Sequence, residues 1–136
     1  MTHSLNTSTL FHQQLGKIFY AVAAVDKSIR KEEISALKKI IREQWVSTNQ
    51  TTDEFNTNTA YQIEIIFDWL DENNWNIKHA IPDLLDFKKE HESYFSDEIK
   101  ALIIKTAHAI ADAFSNKNKS ELMYIQSLEL ALYHNR

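Results

Sequence analysis

The sequence has 136 residues, with one glycine, one proline and no cysteine, and its formal net charge is −4. A single glycine excludes the glycine-rich loops that bind nucleotide phosphates, and the lack of cysteine excludes disulfides, thiolate nucleophiles and thiolate-bound metals. Tight turns between strands draw on Gly and Pro, so their scarcity predicts an all-α chain. The length predicts one domain over 1–136 with a single core.

Charge is distributed unevenly along the chain. Residues 1–45 hold seven basic and four acidic residues. Residues 46–98 hold three basic and twelve acidic residues, and residues 99–136 hold five basic and three acidic residues. A solvated helix surface is the simpler explanation of the acidic middle, and a surface that faces a cation or a basic partner is the alternative. The basic cluster within 27–42 is too small, in a chain of acidic pI, to indicate a nucleic-acid partner.

The N-terminus lacks the pattern of a secretory signal, and the longest apolar run is the eight residues 18–25. That run is too short for a membrane span. We therefore expect a cytoplasmic protein without a membrane span.

Apolar residues at three- and four-residue spacing predict two helices, over about 9–25 and 30–45. Thr7 or Ser8 is the candidate cap of the first. The link between them is about four residues long, so we expect a helical hairpin over 9–45. The Thr-, Asn- and Gln-rich stretch 46–58 is predicted to be a mobile loop.

The middle helices are expected within 59–95. Residues 61–73 predict a helix with a broad apolar surface, which we expect to be well buried. Asn76 is a candidate cap of the next helix, which Pro82 either kinks or restarts. Ser96 is expected to cap a helix in a second hairpin over 96–134, for a total of six to seven helices.

The two hairpins echo each other in sequence. Ala21, Ala23, Val25 and Asp26 align with Ala107, Ala109, Ala111 and Asp112, and Glu33 aligns with Glu121. The echo predicts two related hairpins around a divergent middle.

Each hairpin tip then carries an aspartate that ends one helix and a glutamate that begins the next. An aspartate at a helix C-terminus is disfavoured by the helix dipole, by about 0.3–1 kcal/mol, unless it bonds to loop amides or has another use. Helix capping accounts for Glu121 but less readily for Glu33. Carboxylates suit Ca²⁺ or Mg²⁺, so Asp26, Glu33, Asp112 and Glu121 are the candidate metal ligands.

No catalytic or cofactor-binding constellation is evident. The sequence has no His-Glu-x-x-His motif and no nucleophile elbow. The alternative function is a hydrolase or small-molecule-binding protein that uses His108 and Asp112, four residues apart, with Asp68 or Asp71. Four aromatic residues of the middle, Tyr61, Phe67, Trp69 and Trp75, form either a partner-binding patch or part of the core.

At the hairpin residues the chain resembles the tellurite-resistance protein B-like (TerB-like) family. The resemblance rests on residues 21–26 with Ile29 and Glu33, and on residues 108–112 with 118–121. Residues 67–95 also resemble the middle helices of this family, but less specifically.

The resemblance implies an all-α bundle of about seven helices with pseudo-twofold hairpins, found in bacterial stress and tellurite-resistance systems. It implies no enzymatic reaction, acidic residues that bind a divalent metal, and action through a protein partner. It leaves the identity of the partner, the ion and the oligomeric state open.

Overall fold

The computed structural model describes residues 7–25, 29–45, 53–115 and 119–134, and for 53–58 and Ser115 the backbone alone. These residues form α-helices and two short 3-10 turns, with no strand among them. The helices are α1 (Thr7–Ala24), α2 (Lys31–Trp45), α3 (Asp53–Glu72), α4 (Ala80–Glu90), α5 (Asp97–Ser115) and α6 (Lys119–Tyr133). The all-α prediction is confirmed.

α1 lies at the centre of the bundle. It packs against α3, α4, α5 and α6, and eleven of its eighteen residues are buried. Lys17 is its only lysine, arginine or acidic residue. A helix that is apolar nearly all round is typical of a core position.

Gly16 allows α1 and α3 to approach each other closely. A Cβ atom added at Gly16 would lie 2.7 Å from Cγ2 and 2.9 Å from Cβ of Ile66 on α3. The Cβ of Ile66 is fixed to its backbone, so a side chain at position 16 would force the two helices apart. The single glycine of the chain therefore sets the position of α3.

Two buried hydrogen bonds join the helices further. Nε2 of His12 on α1 lies 3.1 Å from Oγ1 of Thr59 on α3. Nε1 of Trp45 on α2 donates to Oγ1 of Thr106 on α5 at 3.0 Å, and that hydroxyl donates to the Leu102 carbonyl at 2.7 Å. Polar groups taken out of water in this core are thus partly compensated by bonds between helices.

The two predicted hairpins differ in how their helices meet. α5 packs directly on α6, whereas α1 and α2 approach each other more loosely and are joined through α3 and α5, which pack on both. A ring contact between Phe19 and Trp45, 6.2 Å between centroids, links α1 to α2. The first hairpin is therefore more open than the second.

Residues 53–58, predicted to be part of a loop, are helical, because α3 begins at Asp53. The Thr and Asn residues of this segment have weak helix propensity, which the packing of α3 on α1 and α2 overrides. The rest of the predicted loop, 46–52, lies outside the described residues.

Pro82 restarts the helix rather than kinking it. Residues Ile77–His79 form a 3-10 turn, and Pro82 is the third residue of α4. In the first turn of a helix the backbone N–H has no intrahelical acceptor, so proline is tolerated there.

The predicted cap at Ser96 is confirmed, whereas Asn76 caps the 3-10 turn Ile77–His79 and not α4, whose N-cap residue His79 makes no side-chain cap bond. Oδ1 of Asn76 accepts from the Lys78 N–H at 2.9 Å, and Oγ of Ser96 accepts from the Ile99 N–H at 3.1 Å. Thr7 and Ser8, the cap candidates of the first helix, lie inside α1 instead.

Candidate functional site

The four predicted metal ligands lie in unlike surroundings. Asp26 lies outside the described residues. Glu33 is half-buried, Asp112 is exposed, and Glu121 is fully buried in the first turn of α6.

Glu33 caps its own helix. Its Oε1 accepts from the Arg30 N–H at 2.8 Å, and its Oε2 lies 3.8 Å from the Arg30 guanidinium. This is the glutamate half of a capping box, formed although Arg30 has no side-chain oxygen to supply the other half. The sequence predicted that capping would explain Glu33 less readily than Glu121. That prediction is wrong, because Glu33 does cap its helix.

Asp112 does not end its helix, in contrast to the prediction from the sequence. α5 continues to Ser115, so Asp112 lies within the last helical turn. Four of the five alanines of the echo serve packing, since Ala21, Ala23, Ala107 and Ala111 are fully buried, and Ala109 is half-buried. Small buried residues allow close helix packing and thus explain much of the echo without a ligand.

Among residues 7–25, 29–45, 53–115 and 119–134, no group of three or more His, Asp or Glu residues is placed to hold a metal ion. The site predicted at the hairpin tips includes Asp26, which is not described, so it stays a prediction. Thermal melts with millimolar Ca²⁺ or Mg²⁺ test it, because an ion that binds only the folded chain raises Tm. An unchanged Tm would refute it.

Three clefts lie on the described surface away from the alternative site at His108 and Asp112. These have volumes of about 400, 450 and 610 Å³ and lie at α4 with His134, along the end of α6, and between α1 and α4. None of the three is lined by His108, Asp112, Asp68 or Asp71. His108 is half-buried, and its Nδ1 is buried without a hydrogen-bond partner.

Three large apolar side chains of α3 point away from the bundle. Tyr61, Ile65 and Trp69 are 61%, 45% and 53% exposed, whereas Ile63, Phe67 and Leu70 on the opposite side are fully buried. The expectation of a well-buried helix is therefore wrong for half of its apolar surface. The cause is position: α3 packs on α1 and α2, and no described helix covers its outer side.

The four predicted aromatic residues divide between the core and the surface. Phe67 is core and Trp75 is half-buried against it, while Tyr61 and Trp69 are exposed. A residue spacing of four places Tyr61, Ile65 and Trp69 in one row along α3. We call this row, with the exposed acidic residues Asp68 and Glu72, the α3 outer face.

Ion pairs with α2 border the α3 outer face. Arg42 binds Glu64 through two hydrogen bonds, of 2.9 and 3.2 Å, and Nζ of Lys38 lies 3.0 Å from Asp68. The bonds to Glu64 raise the pKa of the Arg42 guanidinium. These pairs are solvent-accessible, so each contributes little stability, but together they hold α3 in register with α2.

The end of α3 is held by a left-handed residue. Asn74 has φ of 49°, and the Trp75 N–H donates to the Leu70 carbonyl at 3.3 Å. Asparagine is the residue that best replaces glycine in such a helix end. Trp69 is thus exposed one turn before a well-defined helix terminus.

No described helix is long and apolar enough to cross a membrane. Comparison with known proteins gives no matching family model, no similar curated protein and no similar solved structure. The TerB-like pairing of hairpins therefore rests on the sequence resemblance.

Proposed function

We propose that the chain is a non-enzymatic helical module that acts by binding a protein partner, and that the α3 outer face is the binding surface. One observation carries the proposal: two aromatic side chains and an isoleucine, each about half exposed, form one row on a single helix. Exposed apolar patches of this kind mark interaction sites, and Tyr and Trp are the side chains that most often dominate binding energy.

The TerB-like resemblance supports the same conclusion from the sequence. It implies action through a partner in a bacterial stress or tellurite-resistance system. The row on α3 adds a specific surface to that expectation.

Site-specific crosslinking in the native cells tests the proposal. A photoreactive amino acid replaces Ile65 in one chain and Ser127, an exposed residue of α6, in a matched control. We expect a discrete crosslinked partner from position 65 and none of that mass from position 127. Trp69→Ala should abolish the crosslink while Tm stays within about 2 °C of the wild type, because the side chain is largely outside the core.

Equal crosslinking at the two positions, or none at position 65, would contradict the proposal. A partner identified at position 65 can then be purified and its affinity for the wild-type chain and for Trp69→Ala compared. A loss of at least about tenfold is expected, as for an aromatic side chain at the centre of an interface.

A further inference from the structure

The segment of the sequence that contains the α3 outer face is acidic. Residues 46–77 contain six acidic residues and no lysine, arginine or histidine. The cations that reach α3, Lys38 and Arg42, come from the neighbouring α2 and bind at its side. Glu72 is exposed and makes no ion pair with the described residues.

The acidic residues are mixed with the apolar row. At the 100° per residue of an α-helix, Glu72 falls between Tyr61 and Ile65 around the axis, and Asp68 falls about 20° beyond Tyr61. The Asp68 carboxylate, although paired with Lys38, is still 55% exposed. A partner that covers the row must therefore also face these two carboxylates.

We propose that the partner segment is a basic amphipathic helix of another protein. This inference rests on the proposed function and adds the chemistry of its partner. A row of side chains four residues apart packs into the groove of a second helix, at a crossing angle of about −50°. Apolar residues of that helix cover Tyr61, Ile65 and Trp69, and its lysine or arginine residues face Asp68 and Glu72.

A second copy of the chain does not fit this description. Pairing α3 with α3 would place Asp68 and Glu72 against like charges. The described exposed face of α6 is apolar in part, but Glu129 is its only charged residue between 122 and 133. α2 exposes Lys31 and Lys39 but no large apolar side chain in its described residues.

Peptides of defined charge test the inference directly. The probe is a labelled helical peptide of about 18 residues, with leucine at three- and four-residue spacing and lysine on its other face. Two matched peptides carry glutamate in place of lysine, or the same residues in an order without an apolar face. Binding is measured by fluorescence anisotropy at ~50 and ~500 mM NaCl.

We expect the lysine peptide to bind the wild-type chain at least tenfold more tightly than either matched peptide, and more weakly at high salt. Trp69→Ala should reduce its affinity at least about tenfold. Glu72→Gln should reduce it about threefold, the loss of one solvent-accessible charge pair. Glu129→Gln on α6 changes net charge equally and should leave the affinity unchanged.

The remaining outcomes separate the two proposals. Suppose that Trp69→Ala weakens binding but the lysine and glutamate peptides bind equally well. The claim that the partner is basic is then overturned, while the claim that the α3 outer face is the binding surface stands. Equal effects of Glu72→Gln and Glu129→Gln show general attraction to an acidic chain and also overturn it. A dimer that sedimentation detects and Trp69→Ala abolishes identifies a second copy as the occupant. An absence of binding by all the peptides overturns the inference alone. Equal crosslinking at positions 65 and 127, or none at position 65, overturns the proposed function as well.

Discussion

The outer surfaces of α3 and α6 both expose large apolar side chains, but their arrangement and charge differ. On α3 the exposed residues form one continuous row beside Asp68 and Glu72. On α6 they form two pairs, Leu122 with Met123 and Leu130 with Tyr133.

Polar residues separate the two pairs on α6, and Nζ of Lys100 lies 5.1 Å from the centre of the Tyr133 ring. A cation over the ring already occupies one face of that side chain. The comparison shows that exposed apolar area alone does not identify a binding surface. Continuity of the apolar residues and an unbalanced charge at their edge distinguish α3 from α6.

The largest effect is expected from a change that moves α3 itself. Gly16→Ala places a Cβ atom within 2.9 Å of the Cβ of Ile66, and overpacking of this kind costs about 1–3 kcal/mol. Urea unfolding measures the loss. In an Ile66→Gly background, which removes the Cβ atom as well as Cγ2, the same substitution should cost clearly less, and an equal cost in both backgrounds would contradict the contact.

The second-largest effect is expected from low pH, which should weaken the contact between α1 and α3 at His12. Burial lowers the pKa of His12 below its usual 6.5, so the unfolded chain takes up the proton more readily than the folded chain. The contribution of His12 to stability is complete above pH 6.5 and is lost as the pH falls towards the lowered pKa. The free energy of unfolding should therefore fall on acidification, and less so in His12→Gln.

A pH dependence identical in the wild-type chain and in His12→Gln would assign the loss to other groups. The 3.1 Å contact with Thr59 places any effect of His12 between α1 and α3, away from α6. Hydrogen exchange at about pH 5 and pH 7.5 locates it, because local opening shows as faster exchange in the affected helix.

The smallest effect is expected from a substitution that makes the surroundings of the α3 outer face more negative. Arg42→Ala removes the guanidinium that binds Glu64, and such an exposed pair is worth about 0.2–1 kcal/mol of stability. The same change increases the negative charge beside the apolar row. We expect the lysine peptide to bind about twofold more tightly while the chain becomes slightly less stable, whereas Lys105→Ala on α5 should leave peptide binding unchanged.

The sequence was sufficient for the helices but not for their exposure. Spacing of apolar residues located the helices except for residues 53–58 of α3, and the side-chain oxygen of Ser96 located the start of α5, whereas that of Asn76 located only the 3-10 turn before α4. These are local signals, since a cap and a helix face depend on residues a few positions apart.

The exposure of Tyr61, Ile65 and Trp69 was not predictable in this way. Apolar residues on one face of a helix have the same sequence spacing whether or not another helix covers that face. The position of α3 depends on contacts between distant parts of the chain, such as Gly16 with Ile66. The acidic composition of the middle segment was the signal that pointed to this region, although it did not distinguish a cation from a basic partner.

The central position of α1 has a consequence for the order in which the chain folds. α1 leaves the ribosome well before α5 and α6, which supply part of its cover. At the usual rate of synthesis about 5–20 s pass between them. During that interval α1, the most apolar of the described helices, lacks the cover that α5 and α6 supply, and transiently exposed apolar surface of this kind promotes aggregation.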